Sequence, residues 1–315
     1  MSPSRAIQRA LMIVNPAARS AAAARDEAVR AFAAAGVLCD VMVTERPGHG
    51  GEFARANAAR YDAVFTLGGD GTAVEVIGEL ADSGPPVGVL AGGTGNVLAR
   101  SLRIPLSIRR AVPALLNGTE TRIDLGQLSD GRHFVIGVGV GVDAEMISGA
   151  SATMKRNLGF LAYFVSGITA GLRLERFRYR VIVDGVAHEG EATSVLVANL
   201  GEVLGGLIKL GKQIREDDGV LHVGVFAPRS VFAATRAFGR MLAGDLSIDP
   251  SVTYIAGRSI RIETVPPRRA QADGEMLGET PLDITVRPGA ARLLMPARSR
   301  LSASVEIQRE VESGR

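Results

Sequence analysis

The sequence predicts an α/β domain followed by an all-β domain: an N-terminal doubly wound parallel sheet, then a C-terminal antiparallel β-sandwich. Three observations predict it. Strand-like apolar runs alternate with helical stretches up to about residue 121. Beyond that point apolar residues recur at every second position between Asp-Gly and glycine-rich turns. The 315 residues, 46% hydrophobic and 22% charged, suffice for two domains with a core each. The expected boundaries are 1–121 for the α/β domain and 122–298 for the sandwich domain, with a polar tail, 299–315, that frays or packs back on the first domain.

The elements follow in order. "ALMIV" (10–14) is an apolar run of strand length, and "AAAARDEAVRAFAAAG" (21–36) is rich in the strongest helix former, with Gly36 placed to stop it. "VLCDVMVT" (37–44) predicts a strand, "GEFARANAARY" (51–61) a helix, "DAVFTLG" (62–68) a strand and "TAVEVIGELAD" (72–82) a helix. "PVGVLA" (86–91) is a further strand, before helical stretches in "NVLARSL" and "LSIRRAVPALLNG". After Thr121 the segments "TRIDLGQLS", "RHFVIGVGVGVDAEM", "FRYRVIVDGVAHEGEATSVLVANL", "GVLHVGVFA", "SVTYIAGRSIRIET" and "LDITVRPGAARLLMP" alternate with period two. Two helices, at about 152–174 and 229–243, interrupt them.

Composition narrows the function. Aromatic residues make up 4% and Trp is absent, which argues against base-stacking platforms and hence against nucleic acid as a partner. The net charge is +3, with arginines gathered in "RLERFRYR" (Arg173 to Arg180). That cluster reads first as a solvated face, and second as an attraction to a phosphate-bearing substrate or an anionic membrane. The single Cys39 excludes an internal disulfide framework and a cysteine metal cage, so a reducing compartment fits. No run of about 18 apolar residues and no signal-peptide core is present, so the expected location is the cytoplasm, with at most transient contact at the inner membrane face. A homodimer is compatible with this reading.

The chemistry concentrates in two loops. "FTLGGDGTAVEVIGEL" (65–80) runs from a strand through Gly68, Gly69, Asp70, Gly71 and Thr72 into a helix. Glycines let backbone N–H groups approach phosphate oxygens, and the following helix offers its positive N-terminus. Asp70, flanked by glycine on both sides, is expected to carry a free carboxylate at the strand end. "LAGGTGNVLAR" (90–100) repeats the device one strand later through Gly93, Thr94, Gly95 and Asn96. With Asn15 in "IVNPAA" and Thr44 at earlier strand ends, the loops outline a nucleotide crevice at the carboxyl edge of the sheet. Neither loop is a Walker-type GxxxxGK[ST].

"NP", "GGDGT" and "GGTGN", in this order and spacing, resemble the diacylglycerol kinase catalytic domain family of bacterial lipid kinases, related to sphingosine and ceramide kinases. The likeness continues through "PGHG" (47–50), "IDLGQL" (123–128), "GVGVDAEM" (139–146), "ANLGEVLGG" (198–206), "REDDGVLHV" (215–223) and "DGEMLGETPLDI" (273–284). It implies an ATP- and Mg²⁺-dependent kinase that phosphorylates a hydroxyl of a diacylglycerol-like or other lipid alcohol. It also implies that 1–121 holds ATP and 122–298 the lipid, that Gly68 to Glu75, Thr44 and Thr94 contact the nucleotide, and that Glu275 is the general base; the flanking glycines suit Asp70 to position Mg²⁺ and the ATP phosphates. Asp218 would bind a structural Mg²⁺ completed by the carbonyls of Arg215 and Val220, and Asp124 would organise the site between the domains. The chain departs from the pattern in two places: Val97 stands where many members carry Asp after GTGN, and "LIKLGKQIRE" (207–216) lacks their proline-alanine pattern. The alternatives are an NAD kinase-like phosphotransferase with a soluble acceptor and a non-catalytic lipid- or nucleotide-binding protein. Asp-Gly is also the commonest hairpin signal, so the turns at 218–219 and 273–274 have a purely structural reading as well. His49 in "PGHG" reads alternatively as a helix cap, and His133, His188 and His222 as structural.

Overall fold

The computed structural model describes residues 6–16, 21–141, 175–203, 206, 208–211, 213–243, 246 and 248–297. Its first part comprises β1 (Arg9–Val14), α1 (Ala21–Ala34), β2 (Leu38–Val43), α2 (His49–Asn57), β3 (Ala63–Gly68), α3 (Asp70–Glu79), β4 (Val87–Ala91), α4 (Val97–Ser101) and α5 (Ile108–Leu116). Strands β2-β1-β3-β4 are parallel neighbours in that order. Because β2 lies on one side of β1 and β3 on the other, right-handed crossovers put α1 and α2 on opposite faces. α1 accordingly packs beside α5, and α2 beside α3. Residues 10–14 and the whole of β3 are buried, as expected of parallel strands covered on both faces. This is the doubly wound sheet that the alternation predicts.

The second part contributes β5 (Thr119–Leu128), β6 (His133–Phe134), β7 (Gly137–Val140), β8 (Phe177–Val183), β9 (Val186–Ala192), β10 (Ser194–Ala198), β11 (Glu202–Val203), β12 (Ile208–Lys209) and β13 (Leu221–Phe226). Helix α6 (Val231–Ala243) follows, then β14 (Val252–Gly257), β15 (Ser259–Val265), β16 (Arg269–Ala272), β17 (Glu275–Glu279) and β18 (Leu282–Met295). One antiparallel sheet runs β14-β13-β10-β7-β16-β17. Its inward residues Val138, Val195 and Val223 share a core with Val181, Ile262 and Ile284 of the facing strands. The sandwich expected from the period-two pattern is therefore present. The helix expected over 229–243 is α6. The one expected over 152–174 lies outside the described residues, as do the carboxyl half of "GVGVDAEM" and the tail 299–315.

The two parts share one sheet through β18. Its first half pairs with β15, its end runs parallel to β4 where Leu293 meets Val87, and β5 lies antiparallel along nearly its whole length. Residue 121 falls inside this ladder, within β5. The register shifts between Arg287 and Ala291, so residues 288–290 of β18 bulge opposite Asp124. The described arginines of the cluster, Arg176, Arg178 and Arg180, lie on the solvated face, where Arg176 pairs with Glu191 at 3.3 Å and Arg180 with Glu189 at 3.0 Å. Exposed pairs of this kind contribute little stability. Among the described residues no helix is long and apolar enough to cross a membrane.

Gly126 shows how tightly the joining ladder is packed: a Cβ there would fall 1.9 Å from Phe134 Cζ. Gly126→Ala must displace a fully buried ring, so overpacking is expected to lower stability by roughly 1–3 kcal/mol. Urea unfolding should show a lower midpoint, and an unchanged midpoint would refute this packing.

Candidate functional site

The two glycine loops meet backbone against backbone. Gly92 donates its N–H to Gly68 O at 3.0 Å. A Cβ on Gly92 would stand 2.9 Å from Gly68 N, and one on Gly93 2.7 Å from Gly69 Cα. Side chains at either position would push the loops apart, so these glycines answer to each other before any ligand. Asn15, at the end of β1, donates from Nδ2 to Thr72 Oγ1 at 3.0 Å. Asn96 takes a left-handed conformation (φ +45°); its Oδ1 accepts Gly93 N–H at 2.9 Å and its Nδ2 donates to Gly93 O at 2.8 Å, closing the loop that holds Thr94 and Gly95. Thr44, buried, donates its N–H to Val14 O at 2.8 Å beside the end of β1. The structure thus gathers the predicted loop residues at the carboxyl edge of the parallel sheet.

Two carboxylates of this region hold helix starts. Asp70 Oδ1 accepts the Leu98 N–H at 2.8 Å and Oδ2 the Val97 N–H at 3.1 Å. The expectation of a free carboxylate is corrected: Asp70 binds the first amides of α4, the orphan donors of a helix N-terminus. Val97 supplies one of those amides. Glu75 Oε1 likewise accepts the Gly48 N–H at 3.0 Å, where the chain enters α2 with Gly48 at φ +82°. The neighbouring His49 accepts the Glu45 N–H at Nδ1 (3.2 Å) and stacks on Phe53 with centroids 4.0 Å apart.

Glu275 arrives from the other sheet. Asp273 (φ +47°) and Gly274 (φ +95°) form the two-residue turn between β16 and β17, with both central residues left-handed. A Cβ built on Gly71 would lie 3.4 Å from Glu275 Oε1, so this carboxylate rests against the GGDGT loop. Arg132, paired with Asp130, lies within electrostatic reach of it. Asp273 fixes the turn: Oδ2 accepts the Val135 N–H at 2.6 Å, and Oδ1 those of Ile136 and Gly137 at 2.9 Å each. The buried Gln271 spans the turn, its Oε1 accepting the Gly274 N–H at 2.8 Å. Burial pushes the Asp273 carboxyl from 3.8 up to about 6 against the three donated hydrogen bonds, with the nearby Asp70 adding to the rise. In the sequence Asp273 reads only as a turn former. The signal available was its place two residues before Glu275, but its distant amide partners are not legible in the chain.

Asp124 belongs with the other predicted turn. It is 2% exposed; Oδ1 accepts the Gly289 N–H of the β18 bulge at 2.7 Å and Oδ2 the Gly219 N–H at 2.6 Å. Asn199 Nδ2 donates to Asp124 O and to Val135 O, each at 2.8 Å. Hydrogen bonds therefore run from the 216–219 turn through Asp124 and Asn199 to Val135, and on to Asp273 beside Glu275. Asp218 Oδ1 accepts the Val220 N–H at 3.1 Å, and Oδ2 stands 3.1 Å from His222 Nε2. Among the described residues no group of three or more His, Cys, Asp and Glu side chains could hold a metal ion. A Mg²⁺ held here by Asp218 with the carbonyls of Arg215 and Val220, as the family likeness implies, would have to keep several of its waters.

A parallel sheet with paired glycine loops, joined through a shared strand to an antiparallel sandwich that sets a carboxylate against one of them, defines a two-domain α/β-plus-sandwich class. Residues 9–128 match the diacylglycerol kinase catalytic domain, and residues 137–295 the YegS C-terminal NAD kinase beta sandwich-like domain. The chain belongs to the diacylglycerol kinase catalytic domain family, a family of kinases. A solved structure described as a "putative diacylglycerol kinase" from Bacillus anthracis superposes with a TM-score of 0.81 at 27% identity, over 93% of this chain and 97% of that one. A Staphylococcus aureus protein named "Putative lipid kinase" is 29% identical over 236 residues, 74% of this chain and 77% of its own. An uncharacterized Synechocystis protein is 28% identical over 240 residues, 75% of this chain, and the match spans 55% of that relative's length.

Two measurements check the site. The folded state holds the Asp273 proton more tightly than the unfolded chain does, so this contribution to stability is full below pH about 4 and lost as pH rises through about 6. Unfolding midpoints taken from pH 4 to 7 should fall more steeply in the wild type than in Asp273→Asn, whatever the offset between the two proteins. Parallel profiles would remove Asp273 as the source. At the other turn, added Mg²⁺ should raise the melting temperature by binding the folded state, and Asp218→Ala should abolish the increment. An identical Mg²⁺ response in the variant would leave Asp218 as a hairpin residue only.

Proposed function

We propose that the chain is an ATP-dependent lipid kinase that transfers the γ-phosphoryl group to a hydroxyl of a diacylglycerol-like or other lipid alcohol. The observation that carries the proposal is the seat of Glu275 against Gly71, which sets a carboxylate from the sandwich over the loop suited to the phosphates. Backbone N–H groups of residues 68–72 and the N-terminus of α3 receive the phosphate oxygens. Asn15 and Thr72 brace that loop, and Asp70 keeps α4 and the 92–96 loop in register with it. The lipid alcohol enters between the sheets with its hydroxyl facing Glu275. Its oxygen bonds to the γ-phosphorus, the bond to the bridging oxygen breaks, ADP leaves, and Glu275 takes the hydroxyl proton. Mg²⁺, when bound with the nucleotide, neutralises charge on the transferring group. Asp124 holds the bulge and the 216–219 turn rather than a reacting atom.

The direct test is incubation with γ-labelled ATP, Mg²⁺ and a mixed lipid extract, followed by identification of the labelled product. A labelled phospholipid supports the proposal. Label in a soluble acceptor with no lipid present would turn the reading to a phosphotransferase of the NAD kinase kind, and nucleotide binding without turnover on any lipid would make it a binding protein.

Glu275→Gln retains size and hydrogen bonding but accepts no proton. It should lower kcat by roughly 10²–10⁴-fold with ATP affinity little changed. If the variant instead binds ATP poorly and turns over normally at saturation, Glu275 is a nucleotide contact and not the base.

A further inference from the structure

Helix α6 (Val231–Ala243) buries one side, with Ala234, Ala237 and Met241 in the core. A helix on a protein surface normally turns charged or polar side chains to water on its other side. The water-facing arc of α6 instead holds Val231, Phe232, Thr235, Gly239, Leu242 and Ala243, none of them charged. Phe232 is 77% exposed, Val231 52% and Leu242 44%, and Ile248 just beyond the helix is 64% exposed. Residues 229–249 carry Asp245 and Asp249 against three arginines, an excess of one positive charge. Two of the arginines border the arc and share a single buried carboxylate: Arg236 Nε lies 2.9 Å and Arg240 Nη1 3.2 Å from Asp249 Oδ2. The third, Arg229, is exposed one turn before the arc.

An apolar arc with a basic margin is the pattern of a helix that lies in the headgroup layer of a bilayer. We propose that α6 is a docking surface for an anionic lipid bilayer, with Phe232, Val231 and Leu242 entering the acyl boundary and the arginine margin meeting lipid phosphates. The margin favours this occupant over a second copy of the chain, because a two-fold pairing of α6 would bring like charges together, whereas anionic headgroups complement them. The inference takes from the proposed function only that the acceptor is a lipid.

The experiment is flotation of the full chain with phosphatidylcholine vesicles, with and without phosphatidylglycerol, at low and high salt. The wild type should float with the anionic vesicles, less so at high salt and least with phosphatidylcholine alone. Phe232→Glu should reduce partitioning about tenfold or more, since binding follows the apolar area inserted. Arg229→Glu should reduce it about fivefold or more at low salt. Both side chains are exposed, so the thermal unfolding of each variant should match the wild type. The assay reads binding without turnover, so vesicle binding that disappears in Phe232→Glu upholds the docking surface even if no lipid is phosphorylated. Wild-type protein that phosphorylates lipid yet does not float would overturn it while leaving the kinase reading intact. Equal flotation of wild type and Phe232→Glu would also overturn it. So would a wild-type dimer that becomes monomeric in Phe232→Glu with vesicle binding unchanged, which would assign the arc to an interface between copies.

Discussion

The antiparallel ladder between β5 and β18 is the constraint on which the rest of the molecule depends. β18 leaves the sandwich beside β15 and ends beside β4, so one strand belongs to both sheets. A shared strand cannot hinge freely, because rotation would break the ladder hydrogen bonds on both of its sides. The place of the β16–β17 turn over the GGDGT loop follows from that rigidity. The bulge at 288–290 is the one interruption, and Asp124 closes it by taking the Gly289 N–H.

Around that ladder most of the carboxylates named above serve as fastenings. Asp124, Asp273, Asp70 and Glu75 each accept backbone N–H groups from segments far away in sequence. A carboxylate accepting several amides pins a loop more firmly than a neutral acceptor does, since charge-assisted hydrogen bonds are the stronger kind. Removing such an acceptor leaves buried donors without partners, and that loss exceeds the net worth of the bonds themselves. Glu275 differs. Its carboxylate is exposed at the loop, as the proton-accepting role proposed for it requires.

Close approach of main chain to main chain supplies the other half of the architecture. Gly92 and Gly93 sit against Gly68 and Gly69 at distances no Cβ allows. Two loops that looked like independent phosphate cradles therefore act as one unit, tied again by Asp70 to the amides of Val97 and Leu98. Any change in one loop is transmitted to the other through fixed backbone rather than through flexible side chains.

The sequence by itself determined the order of elements, because burial on both faces of parallel strands and one-face burial in a sandwich leave different apolar periods. It also determined which loops lie at strand ends, since clustered glycines have few other uses there. The family likeness marked Glu275, and the structure places it beside Gly71. Only the tertiary structure decided that Asp70 is anchored, that Asp124 spans a bulge, and that Asp273 holds the β16–β17 turn through Val135, Ile136 and Gly137. Those partners lie from about 27 to 165 residues away along the chain, beyond the reach of any local pattern. The same holds for α6, whose composition reads as an ordinary apolar helix until its exposed side is seen. Local sequence records what each segment is; which amide meets which carboxylate depends on how the segments stack, and the β5–β18 ladder fixes that stacking.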